Sequence, residues 1–338
     1  DDSGVTPFTK DDWKNMLLNQ PSTEETKRFS ERLARDPHIA GYPETFEIGY
    51  YVAEQFKEFG LEYETENISD IYLSTFISAS LSIVLENGTI IPFDLEEKVI
   101  INDTDTDVEE RFDAFNAYSA SGNVTADLIY INFGRDIDYQ FLITNHSFEM
   151  SDFEGKVGLV RYGNLGRSRK VLNAERYGLK GLIMFNDPLF QEDIDAGYPD
   201  GQWRSRNSFE RGSIAFADCP GNRLPSRLME YCNQTETEAL PNIPVIPLSW
   251  GNAMTLLSYM SPGLIIDDWQ GLLSDNFGVN YTVSGLDNNA NVSLIVNQER
   301  EHKTIMNVYG WITGDKYPNE VVIMGAHRDA WVKGACDD

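Results

Sequence analysis

Val321-Val322-Ile323-Met324-Gly325-Ala326-His327-Arg328-Asp329-Ala330-Trp331-Val332-Lys333-Gly334-Ala335-Cys336-Asp337-Asp338 is the stretch whose reading decides the fold. It opens with an apolar run of strand length and reaches a histidine. Asp329 follows two residues later, and Asp337 ten residues after the histidine. An apolar run of this kind predicts a strand buried in the parallel sheet of an α/β fold. Such sheets deliver functional side chains at the carboxyl ends of their strands. His327 and Asp337 in that place predict two ligands for zinc. Asp329 between them predicts a group that fixes the imidazole ring from behind.

Working outward, 338 residues are enough for a substantial core and predict two domains. With 41% hydrophobic and 12% aromatic residues the chain is globular in composition. Its net charge of −27 argues against nucleic acid and anionic membrane surfaces as partners. No apolar run approaches the length of a transmembrane helix, and Asp1-Asp2-Ser3-Gly4 has no signal-peptide character. The stretch therefore reads as a mature or excised ectodomain.

Eight Asn-x-Ser/Thr acceptors bear on compartment: Asn67, Asn87, Asn102, Asn123, Asn145, Asn233, Asn280 and Asn291. That number predicts glycosylation in the secretory pathway and an extracellular or cell-surface location. Cys219 and Cys232 are close enough in sequence to close a small loop in an oxidising compartment. Cys336 reads as a small buried residue.

Residues 11–60 carry helical spacing. One amphipathic stretch runs from Thr23 to Ala34 and is broken by Asp36-Pro37. A second runs from Glu44 to Phe59 and stops at Gly60. From about residue 70 the texture changes to short strands at 71–73, 81–85, 89–91, 128–131 and 155–161. A helix at 169–177, a strand at 181–185 and a strand-then-helix unit at 243–259 follow. Residues 186–240 are rich in Gly, Pro and Asn and read as loop. Two more strands are predicted near 279–283 and 292–296. The last unit, 304–312 and 320–325, reads as two strands joined by a turn at 314–318.

Several ordered segments resemble the glutamate carboxypeptidase II and transferrin receptor family. Asp36-Pro37-His38-Ile39-Ala40-Gly41 and Phe56-Lys57-Glu58-Phe59-Gly60-Leu61 are similar to its N-terminal helical part. Phe115 to Ala120, Asp127 to Asn132, Gly155 to Gly163, Gly178 to Gly181 and Tyr198 to Gly201 are similar to its apical, protease-associated domain. His327 to Val332, with Gly334 and Asp337, resembles its first zinc-ligand segment.

The resemblance implies a split zinc-peptidase α/β domain with an inserted β-rich apical domain. Its pieces would be 1–73, 74–301 and 302–338. It implies two zinc ions in the full-length protein, with His327 on one, Asp337 bridging both and Asp329 behind the first. The remaining ligands and the catalytic Glu would lie downstream, so this stretch alone is expected to be inactive. Arg167 falls where the family grips a substrate's C-terminal carboxylate, for which a guanidinium fork is suited.

Ser213 falls in the same substrate pocket, where the family has Asn, and Gly166 stands where it has an aromatic residue. Both departures weaken selection for a C-terminal glutamate. Calcium near Pro225 and Leu228, a homodimer, a small peptide substrate and an anchoring helix upstream are further implications. The alternative is a non-catalytic receptor ectodomain of the transferrin receptor kind.

Overall fold

The structure is a computed structural model, and it describes residues 8–107, 113–188, 197–201, 203–216, 230–233, 235 and 238–331. The chain divides into two compact units, with the boundaries between Tyr63 and Glu64 and between Tyr309 and Gly310. The sequence reading placed these boundaries at 73/74 and 301/302.

Among the described residues the first unit holds three helices. Helix α1 (Lys10–Asn19) starts at a Thr9–Asp12 capping box. Helix α2 (Thr23–Ala34) is capped by Ser22, whose hydroxyl accepts from the Glu25 amide. Helix α3 (Pro43–Glu58) has proline in its first turn, where the missing N–H costs nothing, and buries Thr45, Ile48, Gly49 and Ala53.

In the second unit, β1 (Glu62–Val84) and β10 (Asn291–Trp311) are neighbours in a sheet of order β2-β1-β10-β3. Here β2 is Ile90–Pro92 and β3 is Gly122–Ala126. Side chains join β1 to β10 at Glu66 with Tyr309, Ser74 with Gln298 and Ser78 with Asn297. One number rises as the other falls, so the pair is antiparallel. Segments 71–73 and 81–85, expected as separate short strands, fall in β1, save for Leu85 just past its end. The Ser and Thr residues between them read as breaks but sit well on a half-buried pleat.

The second sheet is parallel, in the order β4 (Leu128–Tyr130), β5 (Val157–Arg161), β6 (Gly181–Phe185) and β7 (Val245–Leu248). Tyr130, Leu159, Ile183 and Ile246 stand in one row across it. All four are fully buried. Burying aliphatic side chains of this kind stabilises by about 1.5–3 kcal/mol each. Helix α4 (Asp136–His146) connects β4 to β5, and α5 (Arg167–Arg176) connects β5 to β6. Two more helices, α6 (Trp250–Ser258) and α7 (Leu272–Phe277), follow β7, and two short strands, β8 (Leu264–Ile265) and β9 (Thr282–Val283), pair antiparallel in the same region. The molecule is thus a mixed α/β chain with an inserted domain.

One expectation fails. Val321 to Met324 form no strand and are 77–94% exposed. The second arm of the expected final pair is therefore missing, although its first arm is the end of β10. A strand requires hydrogen-bonding neighbours, and no described strand pairs with this run.

Candidate functional site

The site grows from the carboxyl ends of β5 and β6. After Arg161 the chain turns through Gly163 and Asn164, both with positive φ, and enters α5 at Arg167 with Gly166 as its N-cap. The helix starts two residues earlier than the sequence suggested, so Arg167 is its first residue rather than part of the preceding loop. Its Nη1 donates to Glu210 Oε1 at 3.2 Å, and both side chains are about one-quarter exposed. The other carboxylate oxygen of Glu210 accepts from Asn186 Nδ2 at 2.6 Å.

Gly212 makes room for the guanidinium. A Cβ there would lie 2.4 Å from Arg167 Cζ, at a φ of +133° that favours glycine. Ser213 sits next to this contact and bridges to Ala117. Its Oγ accepts from the Ala215 amide at 3.2 Å, which engages the hydroxyl locally. Tyr162 supports the same segment by donating to the Glu210 carbonyl at 2.9 Å while accepting from Asn116 Nδ2.

Beneath this cluster lies an ion pair that the sequence reading did not find. Arg161 is 1% exposed and donates to Asp187 Oδ2 at 3.2 Å, to the Gln270 carbonyl and to Asn132 Oδ1. Its guanidinium also lies 4.1 Å from the centre of the Phe133 ring. Asp187 accepts further from Tyr281 Oη at 3.1 Å and from the Leu272 amide. The available signal was a charged residue closing each of two apolar runs, 157–161 and 181–187.

Lys170 is fully buried and donates to the carbonyls of Phe133 and Gly163 at 2.6 and 2.7 Å. Desolvation pushes its amine down to about 7. Through Gly163 it pins the turn that leads to Arg167.

In the other unit, His327 is half exposed. Its Nδ1 lies 2.8 Å from the Asp329 backbone carbonyl and 3.6 Å from the Asp329 carboxylate. A carbonyl only accepts, so Nδ1 carries a proton, and in the neutral ring Nε2 holds the lone pair. This is the tautomer a metal needs, held as second contacts commonly hold a ligating histidine. Of these two Asp329 contacts the main-chain oxygen is the nearer. The next residues are anchored: Arg328 donates to the Thr45 carbonyl and the Ala330 amide to the His38 carbonyl. Asp337 lies outside the described residues, and among the described ones no group of three or more His, Cys, Asp or Glu is arranged to hold a metal.

Pro225 and Leu228, expected near calcium, also lie outside the described residues, as do Cys219 and Cys336. Cys232 is disulfide-bonded. Seven glycosylation acceptors, Asn67, Asn87, Asn102, Asn123, Asn145, Asn233 and Asn280, are exposed, and Asn291 is half-buried. Among the described residues no helix is long and apolar enough to cross a membrane.

Residues 115–207 match the model of the PA domain family. The glutamate carboxypeptidase 2 homolog of Caenorhabditis briggsae is 32% identical over 342 residues, covering 93% of this chain and 42% of that protein. Aminopeptidase NAALADL1 of Rattus norvegicus is 27% identical over 96% of this chain and 45% of its own length. Transferrin receptor protein 2 of Homo sapiens is 31% identical over 66% of this chain and 26% of its own. The chain spans less than half the length of these curated relatives. Among solved structures, a peptidase M28 precursor from Shewanella amazonensis superposes with a TM-score of 0.55. The pair share 16% identity, over 96% of this chain and 59% of that one, a likeness of fold.

Proposed function

Since the chain belongs to the glutamate carboxypeptidase II and transferrin receptor family, we propose that it is part of an extracellular zinc peptidase that removes C-terminal residues from small peptides or N-acyl dipeptides. The observation that carries this reading is Arg167. It is a partly exposed guanidinium at the carboxyl end of a parallel sheet, held in place by Glu210 and seated over Gly212. A guanidinium so placed offers a fork to a substrate carboxylate.

His327 and Asp337 would hold zinc, which when bound supplies a water of lowered pKa. His327 fits that role through its protonated Nδ1 and available Nε2. Asp329 would hold the ring, Ser213 would line the substrate pocket, and calcium would bind near Pro225 and Leu228. The exposed sequons and the bonded Cys232 favour the secretory compartment. The full-length protein would be a membrane-anchored homodimer, and residues 1–338 alone would be inactive. The match to transferrin receptor protein 2 favours a second reading, a receptor without catalysis.

The test is Arg167→Ala in the full-length protein. Loss of a charge-assisted contact worth about 2–4 kcal/mol lowers kcat/KM for free-acid peptides by roughly 30- to 1000-fold. C-terminally amidated peptides, poor substrates from the outset, are hardly worsened. Equal damage to both kinds of substrate would refute the carboxylate clamp. Absence of any chelator-sensitive turnover by the full-length protein would favour the receptor.

A further inference from the structure

Two loops leave the carboxyl ends of neighbouring parallel strands, 131–135 after β4 and 162–166 after β5, and one buried amine joins them. Lys170 of α5 is fully buried, and its Nζ donates to the Phe133 carbonyl at 2.6 Å and to the Gly163 carbonyl at 2.7 Å. A neutral amine has two N–H donors, and two carbonyls use both of them. An ammonium would bring a third proton and a charge into the same buried place. Burial lowers the amine to about 7, with Asp138 opposing the shift and Arg135 and Arg161 adding to it. Hydrogen-bond count and surroundings therefore agree on an amine matched to its two acceptors.

The two carbonyls belong to segments of different kinds. The Phe133 loop is braced by other contacts. Its ring centre lies 4.1 Å from the Arg161 guanidinium, and Asn173 Nδ2 donates to the Gly134 carbonyl at 3.0 Å. Gly163 opens a tight turn in which it and Asn164 have φ of +84° and +56°. The Leu165 amide closes that turn onto the same Gly163 carbonyl at 2.7 Å. Arg167 follows as the first residue of α5. Arg167 and Lys170 are three apart on this helix, so they share a face. The helix that carries the guanidinium thus also carries the amine that holds the turn before it.

We propose that Lys170 is a positioning residue for the substrate carboxylate: by tying the Gly163 turn to the Phe133 loop, it sets where the Arg167 guanidinium lies against Glu210. Being fully buried, Lys170 acts through Arg167 and not by touching substrate. The leverage is large, since a shift of about 1 Å in a binding group can cost about 100-fold in rate. Replacing the amine by an apolar chain of similar length leaves two buried carbonyls without this donor, and the turn is free to move to satisfy its own. The role toward substrate rests on the peptidase reading, whereas the hold on the turn does not.

The experiment compares Lys170→Met with Asn173→Ala, which cuts a bond from the same helix to the same loop without touching the turn. Urea unfolding confirms that each variant is folded. In the full-length protein Lys170→Met is expected to lower kcat/KM for free-acid peptides about tenfold and for amidated peptides less than about twofold. In an Arg167→Ala background it is expected to cost less than about twofold further, because the two residues then act as one unit. Asn173→Ala is expected to change neither substrate class by more than about twofold. Hydrogen exchange of residues 1–338, read over 163–167, is expected to quicken at least about tenfold in Lys170→Met and to stay unchanged in Asn173→Ala.

Equal loss on both substrate classes, a full further loss in the Arg167→Ala background, or the same losses from Asn173→Ala would overturn the proposal, since Lys170 would then only support the fold. If Arg167→Ala itself spares free-acid peptides, the carboxylate clamp is what fails, and exchange over 163–167 decides for Lys170. Unchanged exchange there overturns its hold on the turn, and quickened exchange upholds it. Should Lys170→Met not fold, Lys170→Gln keeps two N–H donors on a side chain one atom shorter. It is expected to show the same pattern at smaller size, and the same outcomes decide.

Discussion

Val157 to Arg161 and Val321 to His327 are the same kind of sequence: an apolar run that leads to a cationic or ligating side chain. The first is β5, buried at every position with β4 on one edge and β6 on the other. The second is extended chain with its apolar residues facing solvent. The difference lies in the neighbours rather than in the runs. Backbone groups of β5 are paired on both sides, whereas no described strand pairs with 321–324. The chemistry differs accordingly. Arg161, Arg167, Lys170, Asn186, Asp187 and Glu210 form one braced cluster, while among the described residues His327 makes its polar contacts with Asp329.

The comparison breaks most readily at Asp187. Asp187→Ala leaves Arg161 buried without its carboxylate, a change that costs about 3–5 kcal/mol. The midpoint of urea unfolding measures it. A loss under about 1 kcal/mol would mean that water reaches Arg161 and that the cluster is not braced from below.

Lys170 gives an effect with a definite sign, spread over several pH units. Its amine titrates at about 7 in the folded chain and near 10.5 when unfolded. Between those values the unfolded chain binds the extra proton, so stability rises with pH. The slope reaches about 1.4 kcal/mol per unit at most. Below the folded value both states are protonated and this contribution is flat. Lys170→Met lacks the rise, so the difference between wild type and variant isolates it from the general charge of the chain. Parallel stability profiles from pH 7 to 10 would show that Lys170 remains charged in its site.

Much of this was legible in the residues. Helices α2 and α3 follow from apolar spacing ended by Asp36-Pro37 and by Gly60, and β5 and β6 from unbroken apolar runs. Family resemblance pointed to Arg167 and His327 by motif. What could not be read was who pairs with whom. Glu210 lies 43 residues from Arg167, and Asp187 lies 26 from Arg161. Neither spacing has a local period. The run at 321–324 misled for the same reason, because burial is a property of the surroundings. Long β1 reads as separate strands because Ser and Thr look like punctuation until a neighbouring strand gives them partners, as Gln298 does for Ser74.

The smallest expected effect sharpens the comparison from its other side. His327→Ala should change the stability of residues 1–338 by no more than about 0.5 kcal/mol, the usual range for a surface substitution. The side chain is 58% exposed, and its main contact is an Nδ1–H to a carbonyl two residues away. The backbone on either side of that contact is held without the ring, since Ala330 and Arg328 bond to the stretch 38–45. Urea unfolding beside Asp187→Ala makes the contrast direct: one ionisable residue is embedded in the fold, and the other is carried on it. A loss above about 1 kcal/mol for His327→Ala would place the imidazole in a packed environment. Its Nε2 would then be engaged within this chain rather than left for a metal.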